Sequence, residues 1–470
     1  MAILNISKSN NVETESKSFL TYVVRVCLVA AMGGFLFGYD TAVISGAIGF
    51  LRTKFELDAA MMGWMASSAL VGCIIGCLFA GITSDKIGRK KTLILAAILY
   101  TISAIGSAIP ENITEFIIFR MIGGIGVGTA SMLSPLYIAE ISPANIRGKM
   151  VSYNQFAIVL GMLIVYFVNY FIVVQGNEIW NVQNGWRWMF GSEALPAVTF
   201  LAYLFFVPES PRWLIKQGRT EEAYAILIKV AGESHAKDEL SEIEKAISSE
   251  DSSIKQLFLP GLRMVLIIGI VLAVLQQVTG INVFLYYAPE IFKNLGSGTT
   301  TALLQTIIVG AVNLTLTVVA IKNVDRIGRK PLMKIGSFGM GVCLISLGLS
   351  AYFQQTAIWV LIFVLGYIAF FALSVGPVTW VILSEIFPTR IRGRAMSIAT
   401  ICLWAANWVV SQTFPMLDEN EWLVSNFNHG FSFWLYGGLC FVLFVFVWKI
   451  VPETKGKTLE EIEKNWIKIS

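Results

Sequence analysis

Three ionisable residues, Asp40, Arg120 and Glu193, stand in stretches of sequence that are otherwise apolar. Charge in such surroundings is costly unless paired, which makes two carboxylates and a guanidinium functional candidates by default. Their chemistry would be that of a proton, because a guanidinium and a proton compete for the same carboxylate. A static ion pair that fixes helix packing is the plainer alternative. A second group is neutral: Gln276, Gln277, Asn282, Tyr286 and Tyr287 fall within about three helical turns, with Asn313 and Trp380 further along. Amides beside an aromatic face suit a polyhydroxylated ligand, whereas packing helices through amides is the competing use. On a straight helix Gln277 and Asn282 would lie about 140° apart. Gly280 between them is therefore expected to break the helix and bring both to one side. Pro377, in Gly376-Pro377-Val378-Thr379-Trp380, is expected to interrupt another helix where Trp380 offers a stacking face.

The other reactive side chains argue against an enzyme. The two histidines, His235 and His429, are far apart in sequence, and the six cysteines (Cys27, Cys73, Cys77, Cys343, Cys402 and Cys440) each lie in an apolar run. They read as small buried hydrophobes, and no catalytic residue, metal site or cofactor is expected.

Positioning these groups requires a membrane fold. Of 470 residues, 56% are hydrophobic and 14% charged, against roughly 25% charged in soluble domains. With 31 Phe and 13 Trp, such a chain has lipid as its solvent over much of its length. That excludes a secreted scaffold, a cytosolic enzyme and a disordered hub. The net charge of +4 does not suggest a nucleic-acid partner. The polar first 17 residues lack a basic n-region or an A-x-A cleavage site, so no removed signal peptide is expected. Apolar runs of about 20 residues recur near 21–50, 61–82, 92–109, 114–138, 150–174, 187–207, 261–291, 301–322, 332–353, 357–384, 394–414 and 431–451. The reading is about twelve transmembrane helices.

Loops 83–91, 139–149, 322–330 and 385–394 together hold roughly 13 Lys and Arg against about four on the other side, which places both termini in the cytoplasm. At about 1.5 Å per residue, Arg120 and Glu193 fall ~9 Å below the external ends of their spans and Asp40 about 10–15 Å below its own, so the three could share one level. Gly33, Gly34, Gly38 and Gly46 in the first span, and Gly123, Gly124, Gly126 and Gly128 in the fourth, allow close helix approach beside them.

The chain divides in two. Asp85-Lys86-Ile87-Gly88-Arg89-Lys90 returns as Asp325-Arg326-Ile327-Gly328-Arg329-Lys330, 240 residues on; Glu140-Ile141-Ser142-Pro143 returns as Glu385-Ile386-Phe387-Pro388, 245 on; and Pro208-Glu209-Ser210 is echoed by Pro452-Glu453-Thr454, 244 on. A six-span unit was duplicated in parallel, which places a substrate site between the halves. The expected organisation is a tail at 1–20, a six-helix bundle at 21–207, a small cytoplasmic helical domain at 208–258, a second bundle at 259–451 and a tail at 452–470. The mirrored charges Asp85, Arg89, Glu140 and Arg147, and Asp325, Arg329, Glu385 and Arg392, with Glu209, Arg212 and Glu453 nearby, are expected to act as a cytoplasmic latch between the bundles. Neutralising Glu385 or Arg392 should then favour the inward-facing state.

Gly81-x-x-Ser84-Asp85-x-x-Gly88-Arg89-Lys90, Pro208-Glu209-Ser210-Pro211-Arg212, Gln276-Gln277-x-x-Gly280-x-Asn282-x-x-x-Tyr286-Tyr287 and Pro452-Glu453-Thr454-Lys455-Gly456 resemble the signatures of the sugar porter family of the major facilitator superfamily. The likeness covers nearly the whole chain. It implies an all-α, twelve-helix major facilitator fold, two six-helix bundles related by a pseudo-two-fold repeat, and alternating access for a monosaccharide. The expected contacts are Phe37, Gln276, Gln277, Asn282, Asn313, Trp380 and Trp404, with Tyr286 and Tyr287 in an external gate. The family's proton symporters carry Asp at the position of Asp40, so the resemblance implies proton symport, with the proton as coupling ion; an uncoupled sugar facilitator and a non-transporting sensor are the alternatives. Met162 and Leu403 depart from the pattern, since close relatives place Gln there, which leaves the sugar open between xylose and related pentoses or hexoses. The expected setting is a bacterial inner membrane, the expected partners a monosaccharide, a proton and lipid, and the expected unit a monomer.

Overall fold

The computed structural model describes residues 2–143, 146–248, 262–355, 357–387 and 391–455. In the first half the spans are α1 (Ala2–Phe55), α2 (Ala59–Ile87), α3 (Arg89–Gly106), α4 (Ile113–Ile141), α5 (Arg147–Gln175) and a sixth segment broken into α6 (Trp186–Ser192) and α7 (Ala194–Leu204). Polar caps set the starts of two of them. Asp58 accepts the Met61 N–H at 2.7 Å ahead of α2, and Asn112 accepts that of Glu115 at 3.0 Å ahead of α4. The break in the sixth segment falls at Glu193, where Pro196 has no N–H to offer the Ser192 carbonyl.

Three further helices follow: α8 (Pro211–Lys216), α9 (Thr220–Ala231) and α10 (Glu233–Ser248). Trp213, Leu214 and Ala223 form a small apolar core between α8 and α9. The remainder of the expected linker domain, 249–258, lies outside the described residues.

The second half opens with the expected break. The seventh span runs as α11 (Leu262–Val278), α12 (Ile281–Tyr286) and α13 (Ala288–Asn294), and Gly280 adopts φ +89°, a left-handed conformation that favours glycine. Then come α14 (Thr299–Ile327), α15 (Arg329–Tyr352), α16 (Ala357–Phe370), α17 (Gly376–Ile386), α18 (Arg392–Asp418) and α19 (Gly430–Lys449). Between α16 and α17 the tenth span passes through a π-helical turn, Phe371–Val375, so the interruption expected at Pro377 begins ahead of it.

Ten helices among the described residues are long and apolar enough to cross a membrane. The 18-residue α3 and the broken sixth segment complete the twelve. Within the first half α1 packs on α5 and α2 on α4; in the second, α15 packs on α19 and α11 on α18. The halves meet where α2 packs against α18 and α5 against α14. Glycine makes the α1–α5 approach close: a Cβ at Gly38 would stand 1.9 Å from the Ile158 carbonyl oxygen.

Candidate functional site

Asp40, Arg120 and Glu193 converge, as their shared depth implied. Arg120 Nη1 donates to Asp40 Oδ1 at 2.5 Å and its Nη2 to the Asp40 carbonyl oxygen at 3.2 Å, with both side chains 2% exposed or less. Phe190 of α6 closes over the guanidinium at 5.3 Å. Glu193 is equally buried and lies close enough to Asp40 and Arg120 for both to act on its carboxyl. Two buried carboxyls beside one guanidinium leave an excess negative charge, and a proton shared by the carboxyls removes it. Tyr39, beside Asp40, meets Ser192, beside Glu193, through a 2.8 Å hydroxyl contact. Sequence reasoning missed that link, because neither residue is charged or set in a motif of its own.

A cavity of about 2680 Å³ runs between the halves, open toward the side that carries the Lys- and Arg-rich loops. One wall is a relay of amides. Asn282 Nδ2 donates to Gln277 Oε1 at 2.6 Å, Gln277 Nε2 to Gln276 Oε1 at 3.3 Å, and Gln276 Nε2 to the carbonyls of Val375 and Gly376 at 3.2 Å each. The helix breaks at Gly280 and around Pro377 make this possible, one turning Asn282 toward Gln277 and the other leaving carbonyls exposed for an amide.

Trp380, Asn313, Phe37, Trp404 and Tyr286 also line the cavity, with the rings of Phe37 and Trp404 5.4 Å apart. So do Met162 and Leu403, which present apolar groups where amides were looked for. Asn407, unassigned from sequence, joins them and donates to the Tyr286 hydroxyl at 3.5 Å. Tyr287 is turned elsewhere: its hydroxyl donates to the Ser411 carbonyl at 2.7 Å and its ring lies against Phe414. Asp40 and Glu193 stand behind the wall, Asp40 between the lining residues Tyr39 and Thr41 and Glu193 next to the lining residue Ser192.

At the basic face the mirrored motifs tie each half to itself. Arg89 Nε donates to Glu140 at 3.0 Å and its Nη1 to Asp85 at 2.9 Å; Arg329 Nη2 donates to Glu385 at 2.8 Å. Glu209 accepts the backbone N–H groups of Arg89 and Lys90, and Glu453 those of Arg329 and Lys330. Arg147, Arg212 and Arg392 stand at the cavity mouth. The side chain of Asp325 lies outside the described residues.

Residues 26–466 match the family model for sugar (and other) transporters. The chain belongs to the sugar transporter family. The D-xylose-proton symporter of Escherichia coli (strain K12) is 50% identical over 95% of this chain and 96% of its own. The arabinose-proton symporter of Bacillus subtilis (strain 168) is 45% identical over 97% of this chain and 98% of its own. The xylose transporter XylE from E. coli, solved in a partially occluded inward open conformation, superposes with a TM-score of 0.84 at 48% identity, covering 93% of this chain and all of that one.

On the opposite face the transporter is sealed by contacts that cross between its halves. Arg52 at the end of α1 makes a two-pronged ion pair with Glu419, just past α18, at 2.5 and 2.7 Å. Gln412 of α18 accepts from Ser67 at 3.0 Å and donates to the Ala60 carbonyl at 2.9 Å, so this amide joins α2 to α18 and does not serve the cavity. Tyr166 of α5 donates to the Leu285 carbonyl at 3.0 Å. These partners lie more than a hundred residues apart in sequence and share no motif, so no local signal marks them.

Proposed function

We propose that this chain imports a monosaccharide, D-xylose or a related pentose or hexose, together with a proton, by alternating access in a bacterial inner membrane. It works as a monomer, with both termini in the cytoplasm and the open cavity facing inward. The amide relay Gln276–Gln277–Asn282, with Asn313 and the rings of Phe37, Trp380 and Trp404, holds the sugar, while Tyr286 and Tyr287 tie α12 to α18 near the sealed external side. The observation that carries the coupling is the Asp40–Arg120 ion pair with Glu193 buried beside it, behind the cavity wall. When the proton is present the carboxyls share it. When it leaves, Asp40 is drawn fully to Arg120 and the repulsion between the carboxylates favours a different packing of α1, α4 and α6. One proton moving down a potential of about 150 mV releases about 3.4 kcal/mol, enough for an accumulation of roughly 300-fold. The charge clusters at the basic face hold each half rigid, and Arg147 and Arg392 stand where closure would bring the halves' charges together as a latch.

Uptake of radiolabelled pentoses and hexoses into proteoliposomes, with and without an imposed inward pH gradient, tests this reading. Accumulation above the external concentration that needs the gradient supports it. Equilibration alone, unaffected by the gradient, would reduce the protein to a facilitator, and binding without uptake to a sensor.

A further inference from the structure

Asp40 and Glu193 are buried behind the cavity wall, so a proton reaching them from the external side must pass between packed helices. Helix α3 offers a path. Tyr100, Ser103 and Ser107 recur at the three- and four-residue spacing that aligns side chains on one face of a helix, and each is 1% exposed or less. They climb about 10 Å toward the external end of α3.

The lower end reaches the charges. A Cβ at Gly123 of α4 would lie 2.3 Å from Ser103 Oγ and 3.5 Å from Asp40 Oδ1, so both oxygens border the same bare patch of helix. Tyr100 is within electrostatic reach of Asp40, Glu193 and Cys73. The upper end meets an external groove of about 710 Å³ lined by Ala108, Gly191, Ser192 and Arg187. There Arg187 donates to the Ala108 carbonyl and pairs with Glu111.

Along this line the Tyr100 hydroxyl, Ser107 Oγ, Asp40 Oδ2, Glu193 Oε1 and Arg120 Nε are buried and have no protein partner. Such a group is costly to leave buried without a partner. Bound water relieves that cost where several polar groups converge.

We infer that Tyr100, Ser103 and Ser107 form a hydrated hydroxyl ladder that admits protons from the external side to Asp40 and Glu193. The inference rests on the proton role proposed above. These three are positioning residues, since they order the water through which the proton passes without holding it themselves. Cys73 from α2, Asp40 from α1, Arg120 from α4 and Glu193 from the sixth span are the titratable and charged groups around the lower end, with Arg187 and Glu111 above.

The test compares Tyr100→Phe and the double variant Ser103→Ala/Ser107→Ala with the parent protein in proteoliposomes, across a series of external pH values. Thr101→Val serves as a control: its hydroxyl is on the same helix but donates to the Ala97 carbonyl. Both ladder variants should lower gradient-driven uptake about fivefold or more and need about one pH unit more acid outside for half-maximal rate, with sugar counterflow less affected than net uptake. Thr101→Val should follow the parent. A pH profile unchanged in both ladder variants overturns the ladder while leaving symport in place. Equal losses of uptake and counterflow, or a matching loss in Thr101→Val, also overturn it, because they show a packing role. A parent protein with no gradient-driven accumulation removes the symport reading and the ladder with it.

Discussion

The two halves are copies at their basic ends and strangers inside. Gly88 and Gly328 turn the chain at φ +99° and +102°. Arg89 meets Glu140 as Arg329 meets Glu385, and the Ser210 and Thr454 hydroxyls approach those same glutamates at 2.5 Å each. In the second half, burial would raise the Glu453 carboxyl, but the N–H groups of Lys455, Arg329, Lys330 and Thr454 outweigh it and hold the acid below its usual range. Deeper in, the first half holds Asp40, Arg120 and Glu193, whereas the second holds Gln276, Gln277 and Asn282. The duplicated parts make each half a rigid body, and rigidity is needed twice. On the proposed mechanism proton and sugar are bound once each, which leaves the interiors free to differ, one charged and the other built of neutral hydrogen-bonding groups.

That division is broken most directly at its two centres. Asp40→Asn removes the proton site and leaves the amide wall intact, so accumulation should fall from up to roughly 300-fold to none while sugar exchange persists. Undiminished accumulation would mean that the charge in the first half does not couple. Gln277→Ala should do the reverse. Losing the middle of the amide relay leaves Asn282 and Gln276 without their mutual partner and should weaken sugar binding about 10- to 100-fold, in exchange and in driven uptake alike. Isothermal titration with the transported sugar reads it, and an unchanged affinity would move the sugar site out of the second half.

Much of this was legible in the chain because it is local or repeated. The spans follow from apolar runs, the duplication from three motifs at offsets of 240–245 residues, and Asp40, Arg120 and Glu193 from being charged where charge is rare. Gly280 announced its break because an amide on either side needed it. What was hidden depends on tertiary contact. Gln412 is an amide in an apolar span like those of the cavity wall, and only the folded contacts show that it holds α2 to α18. Tyr287, next to a cavity residue, points into α18 because α12 ends there. The Arg52–Glu419 pair has no sequence signal, since its partners are 367 residues apart in unrelated segments.

That pair sharpens the comparison, because it belongs to neither half. Basic-face pairs such as Arg89–Glu140 stiffen one body, whereas Arg52–Glu419 must break for the outside to open. Arg52→Ala should therefore favour the outward-open state by up to about 1 kcal/mol, discounted for the partial exposure of both side chains. A cysteine placed at an external position should react up to about fivefold faster with an impermeant maleimide in this variant. A labelling rate equal to the parent's would assign the external seal to Gln412 and Tyr166.

The smallest expected effect comes from His429, which stays within the second half. Its imidazole faces Asp418 at 3.3 Å, and Asp418 also accepts from Asn294 of α13 at 3.0 Å, so one carboxylate ties the ends of α13, α18 and α19 beside the segment that carries Glu419. The hydrogen bond to Asp418 raises the histidine above its ordinary value of 6.5, and partial burial opposes that without cancelling it. A raised value in the folded protein means that the stabilisation is fully present below about pH 6.5 and is lost as the pH climbs through the raised value. The group is partly exposed, so the contribution is under about 1 kcal/mol. Melting in detergent should come about one degree lower at pH 8 than at pH 6, and His429→Ala should flatten that slope. Because the cluster sits in one half, the same substitution should leave external labelling of the Arg52–Glu419 seam nearly unmoved. A labelling change as large as that of Arg52→Ala would make the second half's external end part of the gate and not merely its support.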